Sequence, residues 1–158
     1  MKKRTWVNYA LWIAGTEAVG ALSGLLTREG NQIYEQTANK PPLSPPGIVF
    51  PIAWGILYAL MGFGAARIWQ APESRDRSRG INIYLAQLVV NFFWSLIFFN
   101  AQAYGFAFFW LLLLWALVLW MILTFRKTDP LAAWLQIPYL LWLTFAAYLN
   151  LGAWYLNP

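Results

Sequence analysis

The sequence predicts an all-α membrane protein, a single domain over residues 1–158 built as a bundle of five transmembrane helices. Of the 158 residues, 60% are hydrophobic and only 11% are charged, and the mean hydropathy is +0.49. A soluble domain of this length needs far more charge on its surface. The apolar residues also form five runs, each long enough to cross a hydrocarbon core of ~30 Å as a helix.

The chain contains no cysteine and no histidine. This composition excludes disulfides, thiolate chemistry, Cys/His zinc sites, histidine acid–base catalysis and the commonest haem ligands. We therefore expect no metal site and no resident cofactor, and a tetrapyrrole would have to be held by stacking and edge contacts. The net charge of +5 does not point to nucleic acid, because the basic residues lie at helix ends.

The first helix is predicted over 6–26 and carries two notable features. Gly20 and Gly24 form a GxxxG motif, which allows close helix approach either inside the bundle or in a dimer. Glu17 lies within the same apolar run. A carboxylate at membrane depth is a functional candidate, and the alternative is a neutral glutamate that hydrogen-bonds inside the bundle.

The connection over 27–46 is the longest in the chain and is predicted as a lid loop. Four of its last six residues, PPLSPP (41–46), are proline. Proline lacks a backbone donor and restricts the residue before it, so we expect this part to be extended and stiff. A long loop of this kind is either a lid over a site or a rigid crossover, and the sequence leaves both open.

The second helix, over 47–69, has Pro51 in its first turns and presents Trp54 and Tyr58 on one face, because they lie four residues apart. The third helix, over 81–100, gathers its polar and several aromatic residues within an arc of roughly 100°. These are Tyr84, Gln87, Asn91, Trp94, Ser95 and Phe98. Amide side chains avoid lipid, so the arc faces protein. It is either a seam of hydrogen bonds between helices or the wall of a ligand chamber.

The last two helices are predicted over 106–125 and 131–154. The fourth has no strongly polar side chain before Thr124, and we expect it to be the most lipid-facing. In the fifth, Pro138 should introduce a kink. Trp142, Ala146 and Asn150 recur every four residues and so share one face of this helix.

Five spans place the two termini on opposite sides of the membrane. Nine basic residues fall on the N-terminal side, and two, Arg28 and Lys40, fall on the other side. Basic residues are enriched on the cytoplasmic side. We therefore expect a cytoplasmic N-terminus, with the lid and the C-terminus outside.

Several segments, taken together and in order, resemble one family. They are Tyr34, KPPLSPPG (40–47), FPIAWGILY (50–58), QLVVNFFWS (87–95) and IPYLLWLTFAAYLN (137–150). They are similar to the translocator protein family of bacterial type, also called the TspO/peripheral benzodiazepine receptor family or tryptophan-rich sensory proteins. The resemblance covers nearly the whole chain. It implies a five-helix bundle, frequently a homodimer, here in the bacterial cytoplasmic membrane.

The resemblance also implies a function. Family members bind porphyrins such as protoporphyrin IX and benzodiazepine- or isoquinoline-type drugs, and some bacterial members are linked to light-dependent porphyrin breakdown. The ligand-binding residues expected here are Tyr34, Trp54, Tyr58, Gln87, Asn91, Trp94, Ser95, Phe98, Trp142 and Ala146. Trp54 and Trp142 resemble the tryptophan pair linked to that breakdown, and they are the candidate catalytic residues. No nucleophile–base pair of a conventional enzyme is visible.

The chain departs from the family pattern in its lid and at its end. Ile33 and Leu43 stand where the family commonly has tryptophan, and the lid is about one residue longer. No Lys or Arg follows Leu149, so the weak sterol motif of animal members is not supported.

Two further functions are compatible with the residues. A transporter of tetrapyrroles or other amphiphiles would use Pro51 and Pro138 as hinges and Glu17 for proton coupling, although the chain lacks the internal repeat that many transporters show. A sensor of ligand occupancy would need a separate partner protein to transmit its signal.

Overall fold

A computed structural model describes residues 2–158 as a bundle of helices. In chain order these are α1 (Lys2–Leu26), α2 (Arg28–Thr37), α3 (Val49–Trp69), α4 (Arg75–Ser95) with a π-helical continuation (Leu96–Asn100), α5 (Tyr104–Thr128), α6 (Pro130–Trp134) and α7 (Ile137–Leu156). Five spans in the described part of the chain are long and apolar enough to cross a membrane, and α6 and α7 together form the fifth. The predicted five-helix architecture is confirmed.

The helices pack around one main hydrophobic core. α1 lies along α3, α4 along α5, and α5 along α7. Met61, Tyr84, Val118, Phe125 and Tyr139 are among the fully buried side chains that join these helices. Burial of such large apolar groups fixes the relative positions of the helices that build the site described below.

The expectation that the fourth span is the most lipid-facing is wrong. In the most apolar 18 residues of each span, 33% of the α5 residues are buried, against 11% in α1. α5 packs against both α4 and α7, whereas α1 packs mainly against α3. A helix without polar side chains suits the interior of a bundle as well as lipid, so composition alone did not distinguish the two.

The connection that was predicted as a lid loop over 27–46 contains a helix, α2. Its sequence places Gly30 and Tyr34 four residues apart, and both are buried. Tyr34 packs against Phe98, with ring centroids 5.2 Å apart. Tertiary packing of this one face therefore stabilises ten residues of helix. The proline-rich part, 41–46, is not helical, as predicted.

Two boundaries follow from capping and from proline. α4 begins at Arg75 and not at 81, because the Ser74 hydroxyl accepts a hydrogen bond from the Arg77 N–H at 3.1 Å and caps the helix. The fifth span is interrupted between Trp134 and Ile137. Pro138 has no N–H to bond the Trp134 carbonyl, and the helix is interrupted at the place where the kink was predicted.

Candidate ligand-binding chamber

A cavity of about 370 Å³, which we call the chamber, lies beneath α2 and between α1, α3, α4 and α7. Its wall is largely aromatic. Trp54 stacks on Tyr58 with ring centroids 5.4 Å apart, and Trp94 stacks on Phe98 at 5.0 Å. The volume falls within the ~300–1,000 Å³ typical of small-molecule pockets, and an apolar wall with a few polar groups is characteristic of them.

Seven of the ten residues expected to bind ligand line this chamber. They are Tyr34, Trp54, Tyr58, Trp94, Ser95, Phe98 and Ala146. Gln87, Asn91 and Trp142 do not line it. The polar arc of the third span therefore divides into two parts. Its C-terminal part faces the chamber, and its middle part forms a hydrogen-bonded seam between helices, so each interpretation of the arc applies to a different part.

The seam meets the chamber wall at Tyr58, and we call the seam the floor of the chamber. The Tyr58 hydroxyl donates a hydrogen bond to Asn91 Oδ1 at 2.8 Å, and Asn91 Nδ2 donates to the Tyr139 hydroxyl at 2.7 Å. The Tyr139 hydroxyl in turn donates to Gln87 Oε1 at 2.7 Å. All four side chains are buried. Because polar groups inside a membrane must find partners within the protein, these bonds tie α3, α4 and α7 together.

Trp142 lies behind Trp54 and not on the chamber wall. The two indoles meet edge to face with centroids 6.4 Å apart. Trp142 borders a shallow outer groove between α3 and α7, which Pro138 and Leu141 also line. Its buried Nε1 has no hydrogen-bond partner among the described residues. Trp142 therefore supports Trp54 from the far side and does not contact a ligand confined to the chamber.

The lid side of the chamber is built around Tyr34. Its ring packs against Phe98 and Tyr104, with centroids 5.2 and 6.2 Å away. Burial, with smaller contributions from Tyr104 and Glu35, raises the pKa of Tyr34 to about 12, so its phenol stays neutral at physiological pH. Lys40 Nζ lies 5.4 Å from the centre of the Tyr34 ring and donates to the Glu35 carbonyl at 2.8 Å.

The segment after α2 is fastened to the end of α7. The Asn39 N–H donates to Asn157 Oδ1 at 2.9 Å, and Asn157 Nδ2 donates to the Asn39 carbonyl at 2.8 Å. The Tyr148 hydroxyl donates to the Pro42 carbonyl at 2.5 Å. These three bonds hold the proline-rich segment as a cover attached to α7.

The two lid positions that depart from the family pattern lie on its outer surface. Ile33 is 42% exposed and Leu43 is 83% exposed, and neither lines the chamber. These two departures from the family pattern therefore change the outer face of the lid and do not change the chamber wall.

α1 supplies a part of the wall that sequence reasoning missed. The lining residues of α1 are Glu17, Gly20, Ala21, Ser23 and Gly24, and Thr27 follows directly after its end. Gly20 leaves no room for a Cβ against the Tyr58 ring, so this glycine of the GxxxG motif serves packing inside the bundle. A Cβ on Gly24 would meet nothing within 4 Å. The available signal was the spacing of Glu17, Gly20 and Gly24, which places all three on one helix face.

The chamber wall also carries two carboxyl groups and a fixed indole. Glu17 and Glu35 line it, and no lysine or arginine does so in the part of the chain that the structure describes. Trp94 Nε1 donates to Asn150 Oδ1 at 3.0 Å, and Asn150 Nδ2 donates to the Tyr104 carbonyl at 2.8 Å. Among the described residues, no group of three or more acidic, histidine or cysteine side chains is placed to hold a metal ion. The arrangement can hold a flat aromatic molecule by stacking.

Comparison with known proteins agrees with the geometry of the bundle. The model of the TspO/MBR family matches residues 12–156. A translocator protein of Ovis aries is 38% identical over 128 residues, covering 80% of this chain and 75% of the relative. The tryptophan-rich protein TspO of Chlorobaculum tepidum is 33% identical over 156 residues, covering 96% and 97%. A tryptophan-rich sensory protein of Cereibacter sphaeroides is 33% identical over 152 residues, covering 96% and 92%.

Proposed function

The chain belongs to the TspO/MBR family of integral membrane proteins, and we propose that it is a receptor-like protein whose chamber binds protoporphyrin IX or a related tetrapyrrole. Drugs of the benzodiazepine or isoquinoline type would occupy the same chamber. The observation that carries the proposal is the pair of aromatic stacks, Trp54 on Tyr58 and Trp94 on Phe98, on the chamber wall. Aromatic contacts of this kind contribute ~0.5–1.5 kcal/mol each.

The charges on the wall set the orientation of such a ligand. The two propionates of protoporphyrin are negative, and so are the lining carboxylates Glu17 and Glu35. Burial of a charge beside a like charge is unfavourable. Lys40 contacts both Tyr34 and Glu35 at the lid. We therefore propose that the apolar macrocycle enters first and that the propionates remain at the lid, next to Lys40.

Light-driven chemistry would begin at Trp54. An excited porphyrin takes one electron from the Trp54 indole, which becomes a radical cation, and passes that electron to oxygen. This returns the porphyrin to its ground state and gives superoxide, which the chamber holds next to the macrocycle and which is the oxidant that consumes it. Trp142 lies with its ring 6.4 Å from that of Trp54, so it can reduce the resulting Trp54 radical. Under this proposal Trp54 contacts the substrate, and Trp142 acts through Trp54.

The floor of the chamber supports binding over passage through the bundle. A translocating molecule would have to separate Tyr58, Asn91, Tyr139 and Gln87, whose hydrogen bonds join three helices. Two of these relatives carry the name tryptophan-rich and one the name translocator. The intact floor favours a receptor or a site of chemistry over a channel for tetrapyrroles.

The proposal is tested by titrating purified protein with protoporphyrin IX in the dark and following tryptophan fluorescence. Saturable quenching is expected, since several indoles lie on or next to the wall. The bound porphyrin is then illuminated in air, and its absorbance is followed against free porphyrin in the same detergent. Faster loss of the bound pigment supports the chemistry at Trp54. Equal loss of bound and free pigment would support binding without that chemistry. The absence of saturable quenching would overturn the proposed function.

We further propose that the protein lies in the bacterial cytoplasmic membrane with its N-terminus inside. Bacterial relatives match almost the whole chain, and nine of the eleven basic residues fall on the N-terminal side. Reporter fusions at the C-terminus should therefore be active only if the reporter works outside the cytoplasm.

A further inference from the structure

A cavity separate from the chamber and from the groove beside Trp142 lies on the surface between α4 and α5, at the end of the bundle opposite the lid. It encloses about 490 Å³, and we call it the α4–α5 groove. Its lining changes from polar to apolar along its length. The polar residues are Arg75, Ser78, Arg79 and Asn82, and the others are Ile83, Ala86, Leu117 and Trp120.

The length of the groove matches one leaflet of a bilayer. From Arg75 to Ala86, α4 rises by about 16 Å. Half of a ~30 Å hydrocarbon core is about 15 Å. The polar end of the groove lies at the N-terminal end of α4, next to the loop that precedes this helix. The apolar end of the groove reaches toward the middle of the span. A molecule that fills the groove therefore has a polar head at the membrane surface and an apolar body inside.

The two arginines in the groove differ from Arg67 and Arg77, which lie at the same end of the bundle. Arg67 is ion-paired, and Arg77 donates to the Trp69 carbonyl and lies over its ring. Among the side chains of residues 5–158, Arg75 and Arg79 make no ion pair or side-chain hydrogen bond, and both are exposed. Two guanidinium groups one helical turn apart are therefore free to share an anion.

The neighbouring polar groups also favour a ligand that accepts hydrogen bonds. Asn82 lies about one turn below Arg79 and is exposed on the outer face of a membrane span. An amide at this depth needs a partner. Glu73 and Asp76 are the nearest acidic residues in the sequence, and neither lines the groove. Trp120 is 53% exposed, a position typical of an indole at the boundary between headgroups and acyl chains.

We propose that the α4–α5 groove is a binding site for one anionic phospholipid. Its phosphate lies between Arg75 and Arg79, with the headgroup or glycerol oxygens accepting from Ser78 and Asn82. One acyl chain lies along Ala86, Leu117 and Trp120. Basic pockets between transmembrane helices commonly bind anionic headgroups. This proposal is independent of any ligand in the chamber.

Native mass spectrometry of the full chain tests it. Purified protein is equilibrated in detergent with equal amounts of phosphatidylglycerol and phosphatidylcholine, and the lipids retained are counted. We expect the wild type to retain one phosphatidylglycerol. The affinity of Arg75→Gln/Arg79→Gln for this lipid should be about thirtyfold lower, since each arginine near the membrane surface contributes a factor of about five to the affinity. The matched control is Arg126→Gln/Lys127→Gln, which removes two charges from the same end of the bundle outside the groove and should retain the lipid.

A second variant tests the apolar half without changing charge. Ala86→Phe fills the groove and should also reduce retention. If circular dichroism shows that Arg75→Gln/Arg79→Gln does not fold, Ala86→Phe alone tests the lipid site. Equal loss in the two double variants would indicate diffuse attraction to the membrane surface and would overturn the proposal. So would an absence of preference in the wild type, full retention on Ala86→Phe, or displacement of the lipid by inorganic phosphate as efficient as displacement by short-chain phosphatidylglycerol.

Discussion

The indole rings of Trp54 and Trp142 meet edge to face at 6.4 Å, yet only Trp54 lies on the chamber wall. Trp142 is held between Trp54 and Phe50 on the other side of that wall. The two tryptophans therefore have different positions with respect to a bound molecule, although the family resemblance groups them as one pair.

Substitution should distinguish these two positions. Trp54→Leu removes the stacking surface, and we expect protoporphyrin binding in the dark to weaken about tenfold, in line with an aromatic contact of ~1 kcal/mol and the apolar area lost with it. Trp142→Leu should change dark binding by less than about twofold, because Trp142 does not line the chamber. Quenching titrations measure both constants. Equal losses in the two variants would show that Trp142 contacts the ligand directly.

The floor of the chamber should be a determinant of stability. Asn91→Leu leaves the Tyr58 hydroxyl without its acceptor, while Tyr139 still donates to Gln87. We expect the free energy of unfolding to fall by ~1–3 kcal/mol, the typical cost of a buried unpaired polar group. Titration with denaturing detergent, followed by circular dichroism, measures the change. Ser95→Ala, on the chamber wall, is the control and should leave stability nearly unchanged. An unaltered transition in Asn91→Leu would argue against a structural floor.

The charge on the α1 side of the chamber should affect anionic ligands selectively. Glu17→Gln removes a lining negative charge. We expect the dianionic protoporphyrin IX to bind about thirtyfold more tightly, since each of its two charges at ~15 Å in a medium of effective dielectric ~20 contributes about 1 kcal/mol. The uncharged dimethyl ester of the same porphyrin is the matched probe and should bind equally to both proteins. Weaker binding of the ester to Glu17→Gln would show instead that Glu17 accepts a hydrogen bond from the macrocycle.

The attachment of the lid to α7 should control how fast a ligand leaves. Asn157→Ala removes both hydrogen bonds to the backbone of Asn39. We expect the dissociation rate of protoporphyrin to rise about thirtyfold, because each of the two bonds contributes ~1 kcal/mol. Stopped-flow displacement measures the rate. Asn157→Asp keeps the acceptor for the Asn39 N–H and should have an intermediate rate. Equal rates in all three proteins would show that the ligand leaves by a route away from this attachment.

Helical periodicity predicted most of the chamber because the wall residues of one helix must share a face. Trp54 and Tyr58 lie four residues apart on α3, and Trp94 and Phe98 lie four apart around the end of α4. All four line the chamber. The polar face of the third span could be assigned to the protein interior, because its amide side chains need hydrogen-bond partners that lipid does not offer.

Helical periodicity predicts which face of a helix a residue lies on, but not how deep in the bundle it lies. The expected ligand-binding residues that do not line the chamber were misplaced for this reason. Gln87 and Asn91 share a face with Trp94, but they lie deeper, where Tyr139 of α7 meets them. The kink before Pro138 and the packing of α7 turn Trp142 behind Trp54. These outcomes depend on how helices pack against one another, which a single sequence does not specify. The short helix α2 was missed because its stability comes from the packing of Tyr34.

The most direct test of a ligand chamber is to fill it from α1. A Cβ at Gly24 points into open space on the chamber wall, and a Cβ at Gly15 also meets nothing but lies on α1 outside the chamber. Gly24→Phe and Gly15→Phe therefore add the same side chain to the same helix, one inside the site and one outside. Protoporphyrin IX titrated against both proteins in the dark should bind Gly15→Phe as it binds the wild type, and Gly24→Phe at least about tenfold more weakly. Binding to Gly24→Phe with wild-type affinity would place the ligand elsewhere and contradict the chamber as its site.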